Sequence, residues 1–276
     1  MKTAKTDMRA ELLENSPWEL MLKLSVPAII GMLVIGLYSL VDAVYVGQLI
    51  GPSAMGAISV VYPFTLINSG IATLIGIGSA SVLSRAIGRK DTETIDRIMG
   101  NLLLLILILS AGMIFTRQLL ALSGAEGEIL ELGVRYMRVV FAGSVLINFA
   151  QSANMILRAQ GLMKHAMVLM GIGAVLVMLL CPVFILAMGE RGIEGSALAN
   201  IVAQLVQVGL TLHYFLKKND VVRFHGIRLA FSLLPEILSV GVSAMMMQVM
   251  TLVQQTVLYN MASRHGGDAQ IILIGA

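Results

Sequence analysis

The chain has 276 residues, of which 57% are hydrophobic and 13% are charged, and its mean hydropathy is +0.87. This composition excludes a soluble globular protein. The net charge of +3 comes from basic residues dispersed among short loops, which argues against nucleic-acid binding, and the single Cys181 excludes a disulfide framework.

Hydropathy predicts seven membrane-spanning helices, each long enough to cross about 30 Å of hydrocarbon at about 1.5 Å per residue. An all-α polytopic membrane protein is the predicted fold class. The first 16 residues carry both charge signs, which does not fit a cleavable signal peptide. Residues 269–276 are predicted to begin an eighth span that the chain does not finish. The seven predicted spans are 20–46, 54–83, 99–122, 134–157, 166–188, 193–216 and 233–261.

Lys and Arg are distributed unequally between the two sides of the predicted membrane. Of the 19 basic residues, 14 lie on the side that holds the N-terminus. Cytoplasmic loops carry the excess of Lys and Arg in membrane proteins. We therefore expect a multi-pass protein of the plasma membrane with its N-terminus in the cytoplasm.

A weak internal repeat relates the first and seventh spans. Residues 22–28 (LKLSVPA) are similar to 238–244 (LSVGVSA), and 51–54 (GPSA) to 266–269 (GGDA), at offsets of 216 and 215. Any two apolar helices with Gly and Ser could align this well. If the repeat is real, six spans intervene and the duplication is parallel, an architecture typical of transporters. Twice the offset predicts a parent of roughly 430 residues.

The repeat divides the chain into two predicted units. Residues 1–222 form a six-helix lobe, and 223–276 hold an inter-lobe loop, the seventh helix and the start of the eighth. We expect the seventh helix to stand apart from the lobe.

Several segments, in this order and spacing, resemble the multidrug and toxic compound extrusion (MATE) family. The similarity covers essentially the whole chain. The matching segments are Pro27, Leu37-Tyr38-Ser39-Leu40-Val41-Asp42, Val46-Gly47, 51–60, Ser84-Arg85-Ala86-Ile87-Gly88, 154–161 and 192–199. The resemblance implies an efflux antiporter of twelve helices in two lobes, with a substrate cavity between the lobes and coupling to Na⁺ or H⁺.

Asp42 is the only one of the 16 acidic residues that lies well inside an apolar run. An ionised carboxylate at membrane depth costs at least about 2.5 kcal/mol, so such a residue is a functional candidate that should face the lobe interior. The alternative is an Asp near the outer interface that reaches solvent. The resemblance supports an ion-coupling role, because family members commonly place a coupling aspartate here.

The sequence also departs from the family at the N-lobe cation site. Many members have Asn and then Asp just before the proline of span five, where this chain has Val177 and Cys181 before Pro182. Hard cations prefer several oxygen ligands, so a complete Na⁺ site is doubtful in this lobe. Proton coupling at Asp42, or coupling by residues of the other lobe, is favoured instead. Asn200 is predicted to partner Asp42, or else to join two helices by hydrogen bonding.

Amide side chains recur every three residues in spans four and six, which places each set on one helical face. We predict that they line a substrate cavity together with residues of spans one and seven; helix packing is the alternative. The predicted cavity residues are Tyr38, Asn148, Gln151, Asn154, Gln204, Gln207, Gln248 and Gln255.

Pro27 lies within span one and is a candidate gating residue, because a proline removes a backbone hydrogen bond and kinks a helix. Prolines are also common in membrane helices that do not move, so a static kink is the alternative.

Neither an enzyme nor a cofactor is predicted, since the four histidines lie in loops or at membrane edges without metal-ligand spacing. The first hypothesis is therefore an antiporter lobe that exports organic cations in exchange for H⁺ or Na⁺. The alternative of a lipid-linked saccharide flippase would need cationic residues deep in several spans, and the absence of such residues from the predicted spans argues against it. An inactive or assembly-dependent remnant, needing a second copy or a separate C-terminal lobe as partner, is the third hypothesis.

Overall fold

A computed structural model of the chain describes residues 16–111, 127–217, 222 and 230–275. Within these residues the structure has eight α-helices, two short 3₁₀ helices and no strand. The 3₁₀ helices are Gly189–Arg191 and Phe231–Leu233. The α-helices are α1 (Pro17–Leu49), α2 (Pro52–Arg89), α3 (Thr92–Ala111), α4 (Gly127–Ala142), α5 (Ser144–Ala159), α6 (Met163–Met188), α7 (Gly192–Lys217) and α8 (Leu234–Gly275).

Local capping residues fix where the first helices begin. The Ser16 hydroxyl accepts a hydrogen bond from Glu19 N at 3.3 Å, and Pro17 occupies the first turn of α1. Asp91 caps α3 in the same way, with its Oδ1 accepting from Thr94 N at 3.1 Å and its Oδ2 from the Thr94 hydroxyl at 2.7 Å. These caps satisfy amide groups that the first turn of a helix leaves without intrahelical partners.

The helices agree with most of the predicted spans. In the described residues, α1, α6, α7, residues 54–89 of α2 and residues 231–254 are long and apolar enough to cross a membrane. The predicted span 134–157 corresponds to α4 and α5, which are bent by 55° at Gly143 and count as one broken span. For the predicted span 99–122, α3 begins at Thr92 and is described as far as Ala111.

The end of the chain differs from the sequence-based expectation. Helix α8 runs without a break through residues 262–268, where an outer loop was expected, to Gly275. Gly266 and Gly267 each weaken a helix by about 1 kcal/mol but do not end it, and no proline follows Pro235. At about 1.5 Å per residue, the 42 residues of α8 extend to about 63 Å, roughly twice the hydrocarbon thickness.

Helix α2 is the centre of the molecule and packs against α3, α4, α5 and α8. The largest buried cluster joins Ile75 and Leu83 of α2 to Leu102 of α3, Ile156 of α5 and Phe215 of α7. A second group of helices, α1, α6 and α7, packs side by side around Cys181 and Ala203. The outward faces of α1 and α6 are apolar and exposed, as expected for helices that contact lipid.

Helix α8 contains the seventh predicted span, 233–261. The expectation that this span stands apart from the lobe is wrong, because α8 packs closely along α2. A Cβ atom on Gly78 would collide with the carbonyl oxygen of Ile237, and one on Gly241 would collide with that of Leu74. Glycine therefore lets the two backbones touch, as in other small-residue helix contacts in membranes. Val222 and Ala230, on the two sides of the predicted boundary at 222, are both buried against the lobe.

An ion pair supports the contact between α2 and α8. Arg85 Nη1 lies 2.8 Å from Glu236 Oε1, at the end of α2 and the start of α8, and both side chains are nearly half exposed. An exposed ion pair of this kind contributes about 0–1 kcal/mol, so the glycine contact is the main reason for the close packing.

Candidate functional site

Asp42 lies on the interior side of α1, where it meets α6. The Cys181 thiol donates a hydrogen bond to Asp42 Oδ1, with an Sγ to Oδ1 distance of 3.1 Å. Cys181 is fully buried and Asp42 is partly buried. The carboxylate therefore contacts a neighbouring helix of the lobe, which is what a carboxyl group at membrane depth requires.

Three hydroxyl groups surround this pair. Tyr38 and Tyr136 lie within electrostatic range of the Asp42 carboxylate. Ser196 of α7 also faces the carboxylate, but its buried hydroxyl does not meet the geometry of a hydrogen bond. Asp42 thus lies where α1, α4, α6 and α7 approach one another.

Asn200 does not partner Asp42 in the structure. Its Nδ2 donates to Ser196 O, one turn earlier on α7, at 3.2 Å. The Ser196 carbonyl lies one turn earlier on the same helix, so it is within reach of the Asn200 amide wherever α1 packs. The Asn200 side chain therefore bonds within its own helix. The prediction of an Asp42–Asn200 hydrogen bond is therefore wrong, and the partner of Asp42 is Cys181.

By the family resemblance, Val177 and Cys181 stand where many members have oxygen ligands, and neither side chain can replace one. A thiol can, however, donate a hydrogen bond to a carboxylate. The signal that the sequence offers is a thiol in span five of a chain whose span one holds a carboxylate. Within the described residues, no group of three or more His, Cys, Asp or Glu side chains could hold a metal ion.

A cavity of about 480 Å³ lies beside this pair. Its walls come from α1, α2, α5, α6 and α7, and they combine apolar residues, including Met32, Met155 and Met170, with polar ones. Five of the predicted cavity residues lie in its wall. They are Tyr38, Gln151, Asn154, Gln204 and Gln207.

The Asp42–Cys181 pair is one helical turn from this cavity. Tyr38 and Val177 line the wall, and each precedes a member of the pair by four residues on the same helix. Four residues correspond to about 6 Å along a helix. A change of charge at Asp42 is therefore close enough to affect a molecule in the cavity.

The side chain of Asn148 lies outside the cavity wall. It is fully buried, and its Nδ2 donates to Asn68 Oδ1 at 3.1 Å and to Ser110 Oγ at 2.9 Å. Asn148 therefore joins α5 to α2 and α3, which is the packing role that the sequence left open. Asn148 and Gln151 are three residues apart on α5, which separates their side chains by about 60° around the helix axis and by about 4.5 Å along it, so one can face α2 and α3 while the other reaches the cavity.

A polar contact connects the cavity to α8. Ser69 Oγ accepts hydrogen bonds from Gln151 Nε2 at 3.2 Å and from Gln248 Nε2 at 3.5 Å. Gln248 thus reaches a residue of the cavity wall without lining it. The side chain of Gln255 lies outside the described residues.

Arg158 lies in the cavity wall and was not predicted there. Its Nε donates to Asn154 Oδ1 at 2.9 Å, and Asn154 Nδ2 donates to Ala166 O of α6 at 2.9 Å. The signal for this position is its spacing, because Arg158 lies four residues after Asn154 and hence on the same helical face. Among the described residues that line this cavity, it is the only charged one.

Pro27 is buried in the first half of α1, and the helix continues on both sides of it. The gating role of Pro27 stays a prediction.

The profile of the MatE family matches residues 27–183, which is more than half of the chain. The chain belongs to the MATE family. MATE proteins are multi-pass membrane transporters, and the helical fold of this chain, with several helices long enough to cross a membrane, agrees with this membership.

Curated MATE relatives match most of the chain. The multidrug export protein MepA of Staphylococcus aureus (strain MRSA252) is 28% identical over 246 residues, which cover 86% of this chain and 54% of MepA. A FAD transporter of Shewanella oneidensis is 32% identical over 219 residues, which cover 76% of this chain and 48% of the relative. The chain thus spans about half the length of these curated relatives.

Solved MATE structures have the same fold. The structure of a MATE protein in complex with MaD3S has a TM-score of 0.85 and 30% identity, and the match covers 96% of this chain and 61% of that one. An outward-facing MATE family multidrug resistance transporter has a TM-score of 0.86 and 29% identity, with 99% and 61% coverage.

Proposed function

We propose that this MATE chain forms the N-terminal lobe of a secondary antiporter that exports amphipathic organic compounds, including organic cations, in exchange for H⁺. The observation that carries the proposal is the Asp42–Cys181 pair, one helical turn from a cavity of about 480 Å³. Small-molecule sites commonly lie between the helices of a bundle, and this cavity fits that description.

The ligand set favours H⁺ over Na⁺ as the coupling ion. Asp42 supplies the only carboxylate of the pair, its hydrogen-bond partner is a sulfur, and Val177 is apolar. By analogy with other hard cations, Na⁺ requires several oxygen ligands at once. A single proton needs only the carboxylate, whose protonation removes a charge that is costly at this depth.

The cavity wall suits substrates of varied shape. Its volume falls within the range of about 300–1,000 Å³ found for small-molecule sites. Methionines adapt to different apolar surfaces, and the amides of Gln151, Gln204 and Gln207 offer both donors and acceptors. Multidrug export by the relative MepA is consistent with such a wall.

Transport of ethidium, an organic cation, into proteoliposomes under a pH gradient tests the coupling role of Asp42. We expect Asp42→Asn to abolish the dependence of transport on the pH gradient, because an amide cannot exchange a proton. Cys181→Ser is the matched control, since a hydroxyl still donates a hydrogen bond to Asp42. Unchanged gradient-driven transport by Asp42→Asn would remove Asp42 from the mechanism.

The assembly-dependent alternative predicts that the chain transports only with a partner. Light scattering of the purified chain, together with the transport assay, separates the two possibilities. A monomer that transports would exclude the alternative, whereas transport confined to a dimer or to a mixture with a separate C-terminal lobe would support it.

Arg158 favours a second candidate, in which the substrate carries an anionic group. A guanidinium binds carboxylates and phosphates through two parallel hydrogen bonds, and the FAD transporter of Shewanella oneidensis is similar to this chain. Equilibrium binding assays with an anionic and a cationic dye of similar size test this second candidate. If the candidate holds, Arg158→Gln weakens binding of the anionic dye alone; equal effects on both dyes would exclude it.

A further inference from the structure

A second pocket lies outside the transport cavity, in a groove of about 380 Å³ between α6 and α7. Its rim is formed where α6 begins and where α7 ends, by Lys164, His165, His213 and Tyr214. The distribution of basic residues predicts that these two helix ends lie at the cytoplasmic membrane surface. The groove therefore starts at the level of the lipid headgroups of the inner leaflet.

The floor of the groove is apolar and extends into the hydrocarbon region. Val168, Ile172 and Leu210 line it, with Val168 52% and Leu210 40% exposed. Ile172 lies eight residues after Lys164 on α6, which places it about 12 Å deeper along the helix. The apolar part is thus long enough to accommodate the first half of an acyl chain.

The rim has the chemistry of an anion-binding site. Lys164, His165 and His213 are exposed, and their side chains offer an ammonium and two imidazole groups as donors. The His165 and Tyr214 rings stack at a centroid distance of 4.9 Å, which holds His165 at the rim. No carboxylate is among the described residues that line the groove, and the first turn of α6 has no acidic residue.

We propose that this groove binds an anionic phospholipid of the inner leaflet. Its phosphate lies against Lys164 and the two histidines, and one acyl chain lies along Val168, Ile172 and Leu210. The complementarity of both charge and polarity selects this occupant, because a basic pocket between helices at the cytoplasmic surface attracts anionic headgroups. A zwitterionic lipid would bring a positive group close to Lys164.

Native mass spectrometry of the purified chain in detergent tests the proposal. The chain is titrated with phosphatidylglycerol or with phosphatidylcholine of the same acyl chains. We expect phosphatidylglycerol to bind more tightly, and Lys164→Gln to weaken its binding about fivefold, which corresponds to about 1 kcal/mol per basic residue at a membrane surface. Binding of phosphatidylcholine should not weaken in Lys164→Gln, because this lipid loses no net attraction when the ammonium is removed.

Lys90→Asn is the matched control. It also exchanges an ammonium for an amide on the predicted cytoplasmic side, and Asn tolerates the left-handed φ of 59° at this exposed position. Retained phosphatidylglycerol affinity in this variant supports a local site. Equal weakening by the two variants, or equal affinity for the two lipids, overturns the proposal.

Ile172→Trp supplies a second test that does not depend on charge. An indole at this position fills the apolar part of the groove, so one lipid fewer should bind whichever headgroup is offered. If Ile172→Trp leaves the number of bound lipids unchanged, the acyl chain does not lie in the groove and the proposal fails.

Discussion

At the scale of single residues, the pairing of Asp42 with Cys181 is the feature that most changes the interpretation of this MATE lobe. A carboxylate at membrane depth needs a donor, and here a buried thiol supplies it at 3.1 Å. The family resemblance directs attention to oxygen ligands at this position, and the structure shows a sulfur instead. The Asp42 carboxylate is therefore paired with a thiol and not with a second oxygen group.

Removing the thiol donor should destabilise the lobe. We expect Cys181→Val to lower the free energy of unfolding by about 1–3 kcal/mol, the range for leaving a charged group without its hydrogen bond. Cys181→Ser should cost less, because the donor is kept. Unfolding of the purified chain in detergent measures both values.

A double-mutant cycle separates this hydrogen bond from simple packing. In an Asp42→Asn background, Cys181→Val should cost less than in the parent, because the carboxylate that needed a donor is gone. Additive effects of the two substitutions would mean that the thiol and the carboxylate do not interact.

At the scale of helices, capping and close contact decide where elements begin and how they meet. Asp91 begins α3 through bonds to the amide and hydroxyl of Thr94. Gly78 and Gly241 bring α2 and α8 together at backbone distance. The first interaction is local and can be read from the sequence, whereas the second pairs residues far apart in the chain.

The glycine contact predicts opposite effects for the same substitution at different positions. Gly78→Ala should lower the free energy of unfolding by about 1–3 kcal/mol, because its Cβ would collide with the Ile237 carbonyl. Gly171→Ala and Gly209→Ala are matched controls with nothing within 4 Å of the added atom. Alanine there should stabilise the helix, by up to about 1 kcal/mol. A Gly78→Ala variant as stable as these controls would argue against the observed packing of α8.

The cap of α3 predicts a dependence on pH. Hydrogen bonds from the Thr94 side chain, followed by the Thr94 amide, lower the pKa of Asp91 below its ordinary value of 3.8. The folded state therefore favours the charged form, and this contribution to stability is complete above the ordinary pKa and is lost as the pH falls through the lowered one. The melting temperature at pH 7 and at pH 3 should differ less for Asp91→Asn than for the parent. An identical difference in both proteins would show that the cap does not titrate.

At the scale of the whole molecule, α2 holds the lobe together and α8 adds to it. Helix α8 packs on the lobe through the glycine contact, the Arg85–Glu236 ion pair and the Gln248–Ser69 hydrogen bond. Helix α8 is thus packed against the lobe, and its Gln248 contacts Ser69 in the cavity wall. Of the 19 basic residues, 14 lie on the predicted side of the N-terminus and 5 on the other side. This distribution predicts that the side with the N-terminus faces the cytoplasm.

Cysteine labelling in intact cells tests that orientation. In a Cys181→Ser background, Arg89→Cys should react only with a membrane-permeant maleimide, and Arg191→Cys, in the predicted outer loop between spans 166–188 and 193–216, should also react with an impermeant one. Both positions are exposed, so access depends on the side of the membrane and not on burial. The reverse pattern would place the N-terminus outside.

The sequence by itself determined the helical membrane class, the approximate spans, the MATE resemblance and the interior position of Asp42. Each of these depends on composition or on local pattern, because a bilayer accepts only helices or closed barrels and makes an isolated carboxylate costly. Tertiary structure decided the partner of Asp42, the separation of Asn148 from Gln151, the place of Arg158 in the cavity wall and the packing of α8 on α2. These depend on contacts between residues up to 179 positions apart, which no local period encodes.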